Sequence, residues 1–383
     1  MLNNKILLFA DWYEPGYKAG GPIQSCKNLA RILRDKHAVY IFTSDRDLGD
    51  EQPYRSIRFD EWIEKEDRIY VWYASPAFLN NRNVGDLIDE LQPDIVYFNS
   101  MYSWPFTLLP LRVLVKKKFR GRIILAPRGM LHKGALQKKF LKKYLFLKLF
   151  RYLGWHKKVI FHATDDQEQQ DIYRFFGSNA RIIVAKDTPY FPALAWRTVE
   201  KKAGWLDCVF ISRIHPKKNL HFLLERLAEI NPTIQLRFDI YGTEDDRVYA
   251  DSCKSLAARL KPNIQVQFRG PLAYELVPET VQRYHLFVLP TLGENFGHAI
   301  FEALSAGRPV LISDQTPWRD LEKKRTGWDF PLNQPRLFTD TLEQVAAFDQ
   351  ETYNEWSLGA WTYADTYAKQ SDLAKEYDLL FNA

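Results

Sequence analysis

The chain has 383 residues, 46% of them hydrophobic and 26% charged, with a formal net charge of +6. That length exceeds what one hydrophobic core normally serves, so two domains are expected. Three scattered cysteines, Cys26, Cys208 and Cys253, lack metal-ligand spacing and argue against a disulfide framework, while no stretch approaches 18 uncharged apolar residues.

The first apolar run, Ile6–Ala10, is too short for a signal-peptide core and reads as a buried strand. Further strands are predicted at Ala38–Phe42, Ile95–Asn99, Ile123–Ala126, Val159–Ala163 and Ile182–Ala185. Amphipathic helices fall between them at Ile23–Arg34, Val84–Leu91, Gln137–Leu153 and Gln167–Phe176. Pro189 and Pro192 open a segment without periodicity, the best candidate linker. Beyond it, strands at Cys208–Ser212, Leu236–Tyr241, Ile264–Phe268, Leu286–Leu289 and Val310–Ile312 alternate with helices at Leu220–Ile230, Ala250–Leu260, Pro278–Tyr284 and His298–Ala306. After about Phe348 the chain reads as helical to its end, with Trp356, Trp361, Tyr363, Tyr367 and Tyr377 as anchors.

Such alternation implies right-handed crossovers and parallel sheets, hence an α/β fold of two Rossmann-like units. The expected organisation is an acceptor-side domain over 1–190, a linker over 191–204, a donor domain over 205–350 and a helical segment over 351–383 packing back toward the first domain. Ligands of open α/β sheets bind beyond the carboxyl ends of the strands, so the active site is expected in the cleft between the two units.

The densest chemistry lies in VLPTLGENFGHAIFEALSAGRPVLIS, Val288 to Ser313. A strand ends at Pro290, a loop carries Gly293, Glu294, Asn295, Phe296 and Gly297, and a helix follows. The glycines permit close backbone approach, and the helix start offers N–H groups and the positive dipole end to a diphosphate. Glu294 is placed to accept hydroxyl hydrogen bonds, and Glu302 to grip a ribose diol. The alternatives are a solvated helix residue at 302 and an ordinary loop carboxylate at 294. The Glu–seven residues–Glu pattern, with Phe-Gly after the first and Ala-Gly-x-Pro-Val after the second, resembles glycosyltransferase family 4. That resemblance implies the GT-B fold, two Rossmann-like domains facing across a cleft, and retaining chemistry without a metal or other cofactor.

A second block, Phe210-Ile211-Ser212-Arg213-Ile214-His215-Pro216-Lys217-Lys218-Asn219-Leu220, is similar to the family's strand-end Arg and Lys-Gly pair. By that resemblance Arg213 and Lys218 clamp the donor diphosphate, with Lys217 as a rival in register and Asn219 where the family usually has Gly. Fixed cations there would stabilise the leaving diphosphate. Asn295, Phe296 and Gly297 join the donor-binding set.

In the first half, Gly16-Tyr17-Lys18-Ala19-Gly20-Gly21-Pro22 resembles the family's first-domain glycine loop, with Gly20 and Gly21 as donor-side candidates and a purely structural turn as the alternative. Pro127-Arg128-Gly129-Met130-Leu131-His132 follows a predicted strand. Arg128 is assigned to the reacting groups where many family members carry a His, and His132 is an alternative on the acceptor side. Glu168 matches a recurrent acidic position, or is a helix-start charge. His162 reads as a packing residue. Asp45-Arg46-Asp47 mimics the Asp-x-Asp metal signature of another glycosyltransferase fold but reads as a surface or acceptor loop, with Asp45 as a candidate.

From Ile95 to Thr164 there is no acidic residue and there are 16 Lys and Arg, so the rest of the chain is net acidic. Within this region, Lys138 to Arg151 mixes cations with large apolar groups at helical spacing. The 112–158 stretch is therefore expected to touch an anionic membrane surface, or else to be a domain helix with solvated lysines. No nucleic-acid partner is expected.

The resemblance covers nearly the whole chain, most strongly from about Asp207 to Trp328. It implies transfer of a sugar from a nucleoside diphosphate sugar to a glycan or lipid-linked acceptor, in cell-surface polysaccharide or lipopolysaccharide assembly, at the cytoplasmic face of the membrane. The alternatives are a nucleotide-sugar epimerase of the same architecture and a non-catalytic nucleotide-sugar or lipid-binding homologue.

Overall fold

The computed structural model describes residues 4–132, 136, 140–187, 194–370 and 373–382. Two compact units emerge, one of Met1–Pro189 with Asp372–Ala383 and one of Tyr190–Ser371.

The first unit is built on β1 (Lys5–Phe9), β2 (Ala38–Ser44), β3 (Trp62–Glu66), β4 (Ile69–Ala74), β5 (Ile95–Phe98), β6 (Arg122–Leu125), β7 (Ile160–Ala163) and β8 (Ile182–Val184). Their order is β3-β4-β2-β1-β5-β6-β7-β8. Every pairing is parallel except that of β3 with β4. Because successive side chains point to opposite faces, Leu7 and Phe9 enter one core with Val96 and Phe98, while Ile6 and Leu8 enter another with Ile95 and Tyr97. Both faces are thus covered, which is why the strands read as unbroken apolar runs. The helix Gly21–Leu33 covers one face together with Tyr377, Leu380 and Phe381 of the last helix, Leu373–Asn382. The opposite face is covered by Asn81–Leu91, Leu109–Lys116, Phe140–Tyr152 and Asp166–Phe176.

The β3–β4 hairpin escapes the strand–helix reading. Its two strands are joined across Asp67 and Arg68, with Arg68 at φ +60°, and they sit at the sheet edge with Trp62 packed edge-on against Trp72.

The second unit holds β9 (Trp205–Ile211), β10 (Gln235–Tyr241), β11 (Ile264–Gly270), β12 (Leu286–Leu289), β13 (Val310–Ser313) and β14 (Gly327–Phe330). They run all parallel in the order β11-β10-β9-β12-β13-β14. Counted within the unit this is 3-2-1-4-5-6, the dinucleotide-fold order. The order reverses direction at β9 and β12, and there the loops beyond the strand ends diverge to opposite faces and leave a crevice. The first unit reverses in the same way at β1 and β5. The α/β, Rossmann-like reading of both halves is therefore the observed architecture.

The segment read as one helical tail divides. Gln350–Gln370 packs on the second unit, with Trp356 stacked on Trp328 at 4.2 Å and the Tyr353 hydroxyl donating to the His285 carbonyl at 3.1 Å. Leu373–Asn382 belongs to the first unit, where the Tyr377 hydroxyl donates to the Lys186 carbonyl. Residues 188–193, including Pro189 and Pro192 of the predicted linker, lie outside the described residues. From Trp196 onward the linker is part of the second unit. The fully buried Arg308 donates to the Arg197, Gln282 and Gly307 carbonyls and ties that stretch to the turn before β13.

One close contact holds the ends of β9 and β10 against each other. A Cβ on Gly242, just after β10, would lie 1.9 Å from the Ser212 carbonyl oxygen just after β9. Gly242→Ala should therefore lower stability by about 2 kcal/mol or more, as overpacking against rigid backbone does. Denaturant unfolding of the two proteins checks this, and a change within error would contradict it.

Candidate functional site

Strand β9 ends at Ile211, and the chain turns through Arg213 and a 3-10 turn, Pro216–Lys218, into the helix Leu220–Leu227. Asn219 caps that helix at φ +60°, ψ 35°, the left-handed region that Gly enters freely and Asn tolerates better than other side chains. The departure from the family's Gly is thus conformationally equivalent. Strand β12 ends at Leu289, and its loop leads to the helix His298–Ser305, capped by Gly297 at φ +81° with no side-chain cap.

These two loops are sewn together. The Leu292 N–H donates to the Lys217 carbonyl at 2.8 Å, and the Thr291 hydroxyl donates to the same oxygen. The Glu294 N–H donates to the Gln315 carbonyl beyond β13. Lys218 Nζ then reaches Glu294 Oε1 at 2.6 Å, with both side chains largely buried at 13% and 12% exposure. Lys218 points into the loop while Lys217 is exposed.

Burial acts to raise the Glu294 pKa, but the Lys218 charge and hydrogen bond, helped by Lys217 and Thr291, outweigh it and hold the carboxyl below its ordinary value. Glu302 moves the other way. Burial raises it, and neither the His298 charge nor the Tyr274 hydroxyl hydrogen bond offsets that. Two carboxylates on one loop-helix unit are therefore tuned apart: Glu294 is an ionised acceptor, whereas Glu302 is a half-buried carboxyl held above its ordinary pKa.

Arg213 is not drawn into this pair. Its guanidinium donates to Asp245 at 3.0 Å, and Asp245 also accepts from Thr243 beyond β10. The arginine thus stands on the neighbouring loop with most of its five donors uncommitted to Asp245. Phe296 supplies anchorage through its ring, which packs on Trp318, Phe301 and Tyr367, while the Trp318 indole N–H donates to its carbonyl at 2.6 Å. Asn295 lies in the same loop, between Glu294 and Phe296. Tyr274, Thr291, Asp245 and Trp318 support the site but carry no spacing signal.

In the first unit the glycine loop is moored by Asp47, whose carboxylate accepts from the Tyr17 N–H at 2.8 Å and the Lys18 N–H at 3.1 Å. Gly20, at φ +66° with open space around its Cβ position, and Gly21 then open the helix Gly21–Leu33 without a side-chain cap. Asp45 is buried and held in two-point contact by Arg46. The Asp-x-Asp pair is therefore spent on Arg46 and on loop amides.

Arg128 is an internal cation. It donates to Asn99 at 2.8 Å, to the Tyr97 hydroxyl at 2.9 Å and to Asp187 at 3.1 Å, and Asp187 accepts from Ser25 as well. The expected place among reacting groups gives way to a positioning role, because the side chain is nearly inaccessible and all three guanidinium nitrogens have partners. The Tyr97 hydroxyl passes its proton donation on to His162 Nδ1, and His162 Nε2 donates to the Ala185 carbonyl. Burial, with the Arg128 charge, pushes the His162 pKa down to about 3, so this histidine is a neutral packing residue. Glu168 is fully buried and accepts from the Gly129 and Thr164 N–H groups, which pins the Arg128 loop. His132 remains half-buried, paired through Nδ1 with the buried Asp171.

The Lys218–Glu294 pair carries a pH signature. Since the folded carboxyl is depressed, its stabilisation is full above the unfolded carboxyl value of about 4.5 and disappears as pH falls through the folded value. In Lys218→Met burial is opposed only by the smaller Lys217 and Thr291 contributions, so the carboxyl rises and its stabilisation at neutral pH is lost. Stability curves of the two proteins should separate between about pH 4 and pH 7 and differ by on the order of 3 kcal/mol at the upper end. Parallel curves would contradict the pairing.

The chain is similar in sequence and fold to known proteins. Residues 206–347 match the family model described as Glycosyl transferases group 1. The GtfA subunit of a UDP-N-acetylglucosamine–peptide N-acetylglucosaminyltransferase from Streptococcus agalactiae is 27% identical over 157 residues, 39% of this chain and 28% of that protein. The O-antigen chain mannosyltransferase B of Escherichia coli is 26% identical over 168 residues, 40% of this chain and 43% of that one. The chain thus spans less than half the length of these curated relatives. Among solved structures, Anabaena Alr3699/HepE in complex with UDP and glucose superposes with a TM-score of 0.69 at 14% identity, covering 98% of each chain. By fold the chain is a GT-B protein, and residues 206–347, within its second unit, match the glycosyl transferases group 1 model.

Proposed function

We propose that this chain transfers a sugar from a nucleoside diphosphate sugar to a hydroxyl of a glycan or lipid-linked saccharide, in the assembly of cell-surface polysaccharide. The observation that carries this is the Lys218–Glu294 pair, which places a cation and an ionised acceptor side by side at the crevice mouth beside the uncapped start of His298–Ser305. Lys218 has three donors and uses one on Glu294, so it can hold a phosphate oxygen as well. Arg213 supplies a second cation, and the helix start adds N–H groups and the positive dipole end. Glu294 accepts from the sugar hydroxyls, and Glu302 from the ribose diol.

In the reaction the bond from the sugar anomeric carbon to the phosphate oxygen breaks, and its electron pair leaves on the diphosphate. The acceptor hydroxyl oxygen bonds to the anomeric carbon and its proton passes to the departing phosphate. The developing charge is met by Lys218 and Arg213, so no metal is required. Attack from the face the diphosphate leaves retains configuration. The complex of HepE with UDP and glucose supports the donor class, and the O-antigen mannosyltransferase supports the pathway.

The membrane-facing part of the proposal rests on the helix Phe140–Tyr152. Leu147 and Phe150 are buried, yet Leu141, Leu145 and Tyr152 are 74%, 68% and 87% exposed, and Leu149 is exposed beside them. One apolar face packs on the sheet and another points outward, rimmed by Lys142, Lys148 and Arg151. That combination suits an anionic lipid surface. Lys138 and Lys139 lie outside the described residues, and no helix among those described is long and apolar enough to cross a membrane.

Two experiments test the proposal. A thermal-shift screen of nucleoside diphosphates and their sugars should find a selective ligand that raises the melting temperature, and Arg213→Ala or Lys218→Ala should abolish the shift. Turnover with that donor should survive chelation of divalent metals and give a product anomer matching the donor by NMR. No stabilising nucleotide, or an inverted product, would overturn the corresponding claim. Separately, the triple variant Leu141→Ser, Leu145→Ser, Leu149→Ser should lose co-sedimentation with phosphatidylglycerol vesicles by about tenfold or more while nucleotide binding is unchanged. Retained sedimentation would remove the membrane assignment.

A further inference from the structure

The first unit has its own reversal point, at β1 and β5, and the residue just beyond β1 there is a carboxylate to which no role has been assigned. Asp11 stands two positions after Phe9, and the chain beyond β5 answers it with two hydroxyls. Ser100 Oγ donates to Asp11 Oδ2 at 2.9 Å, and Ser103 Oγ donates to Oδ1 at 2.5 Å. Among the described residues no cation pairs with Asp11; the two serines are its side-chain partners. Burial moves its pKa up even against those two hydrogen bonds. A carboxylate in a purely structural role is usually matched by a cation or by backbone N–H groups, as Asp45, Asp47 and Glu168 are here. Asp11 has no such cation and, besides the two hydroxyls, only its own backbone N–H, so its oxygens keep lone pairs for a further donor.

Ser103 also shapes what stands next to it. Its hydroxyl oxygen accepts from the Phe106 N–H at 3.2 Å and caps a single π-helical turn, Trp104–Leu108. Such turns are rare and gather at functional sites. This one begins with Trp104, whose large ring is left 62% exposed although the residues after it, Phe106 and Thr107, are buried. An exposed indole whose chain neighbour, Ser103, holds a carboxylate offers a platform for the apolar face of a pyranose, with the carboxylate taking a ring hydroxyl.

We propose that Asp11, oriented by Ser100 and Ser103, and Trp104 form a saccharide-binding subsite, in which Asp11 accepts a hydrogen bond from a pyranose hydroxyl and Trp104 stacks under the ring. The occupant is the terminal sugar of the acceptor, an assignment that rests on the transferase reading, whereas binding of a pyranoside does not. The site lies within the first unit and uses none of the residues given to the donor. It also separates the two hydrogen-bond styles of the protein: Glu294 is tuned by a cation, Asp11 by hydroxyls alone.

Saturation-transfer NMR with the methyl pyranosides of glucose, mannose, galactose and N-acetylglucosamine tests the site in the full chain. Wild type should transfer magnetisation to at least one of them. Asp11→Asn and Trp104→Ala should each weaken that binding by about fivefold or more. Trp104 is exposed, so its variant remains informative should Asp11→Asn fail to fold, and Ser103→Ala then replaces the aspartate variant. Nucleoside diphosphate binding, read by thermal shift in the same samples, should be unchanged. Wild type binding no pyranoside, or either folded variant keeping the wild-type signal, would overturn the subsite. Nucleotide binding without pyranoside binding condemns this subsite alone, whereas loss of both in the wild type condemns the transferase reading.

Discussion

A lysine and a glutamate from two separate loops meet at 2.6 Å in the second unit, and the arrangement of everything around them follows from the need to bring them there. Lys218 lies beyond β9 and Glu294 beyond β12, the two strands at which the sheet order turns back on itself. Adjacent strands whose crossovers leave in opposite directions cannot cover the gap between their own loops, so the gap stays open to a ligand. The loops are held at a fixed spacing by backbone bonds from Leu292 to Lys217 and from Glu294 to Gln315. Two largely buried side chains of opposite charge would be costly if either stood alone. Together they form a preorganised polar site, the one to which the proposed function assigns the diphosphate.

The first unit repeats the strand order but spends its charges differently. Arg128 sits beyond β6 with Asn99, Tyr97 and Asp187 as partners, and its charge adds to burial in keeping His162 neutral instead of facing solvent. Asp47 and Glu168 are occupied in mooring the glycine loop and the Arg128 loop through backbone N–H groups. What remains accessible near its reversal point is Asp11, held by the buried Ser100 and by Ser103, and the indole of Trp104. The same topology thus carries an electrostatic site in one unit and a hydroxyl-lined one in the other, a difference that suits a charged diphosphate in the former and a neutral polyol in the latter.

Much of the architecture is legible in the sequence because buried parallel strands and the helices that cover them leave strong periodicities. Leu286–Leu289 and the start of His298–Ser305 fall where the apolar run and the glycines place them. The pair Lys218 and Glu294, 76 residues apart, is nameable only through motif resemblance, since spacing cannot show that two loops converge. Asn219 is a puzzling substitute for Gly until its φ of +60° shows that conformation, not size, is what the position demands. The β3–β4 hairpin goes unread because an antiparallel edge interrupts the alternation on which strand prediction relies. Arg128 is misplaced because a strand-end arginine has the same signature in sequence whether its partners are ligand oxygens or, as here, an internal Asn, Tyr and Asp. Asp11 gives no signal at all: a lone carboxylate after a strand acquires meaning only when Ser100 and Ser103 are seen on it.

Phosphorus NMR of a stabilising nucleoside diphosphate, titrated with the protein, tests the central claim most directly because it reports at the diphosphate itself. Capture by Lys218 beside the helix start predicts that both phosphorus resonances shift or broaden with the wild type and recover their free positions with Lys218→Ala at the same concentrations. Phosphorus lines that respond equally to both proteins would place the diphosphate elsewhere and contradict the account.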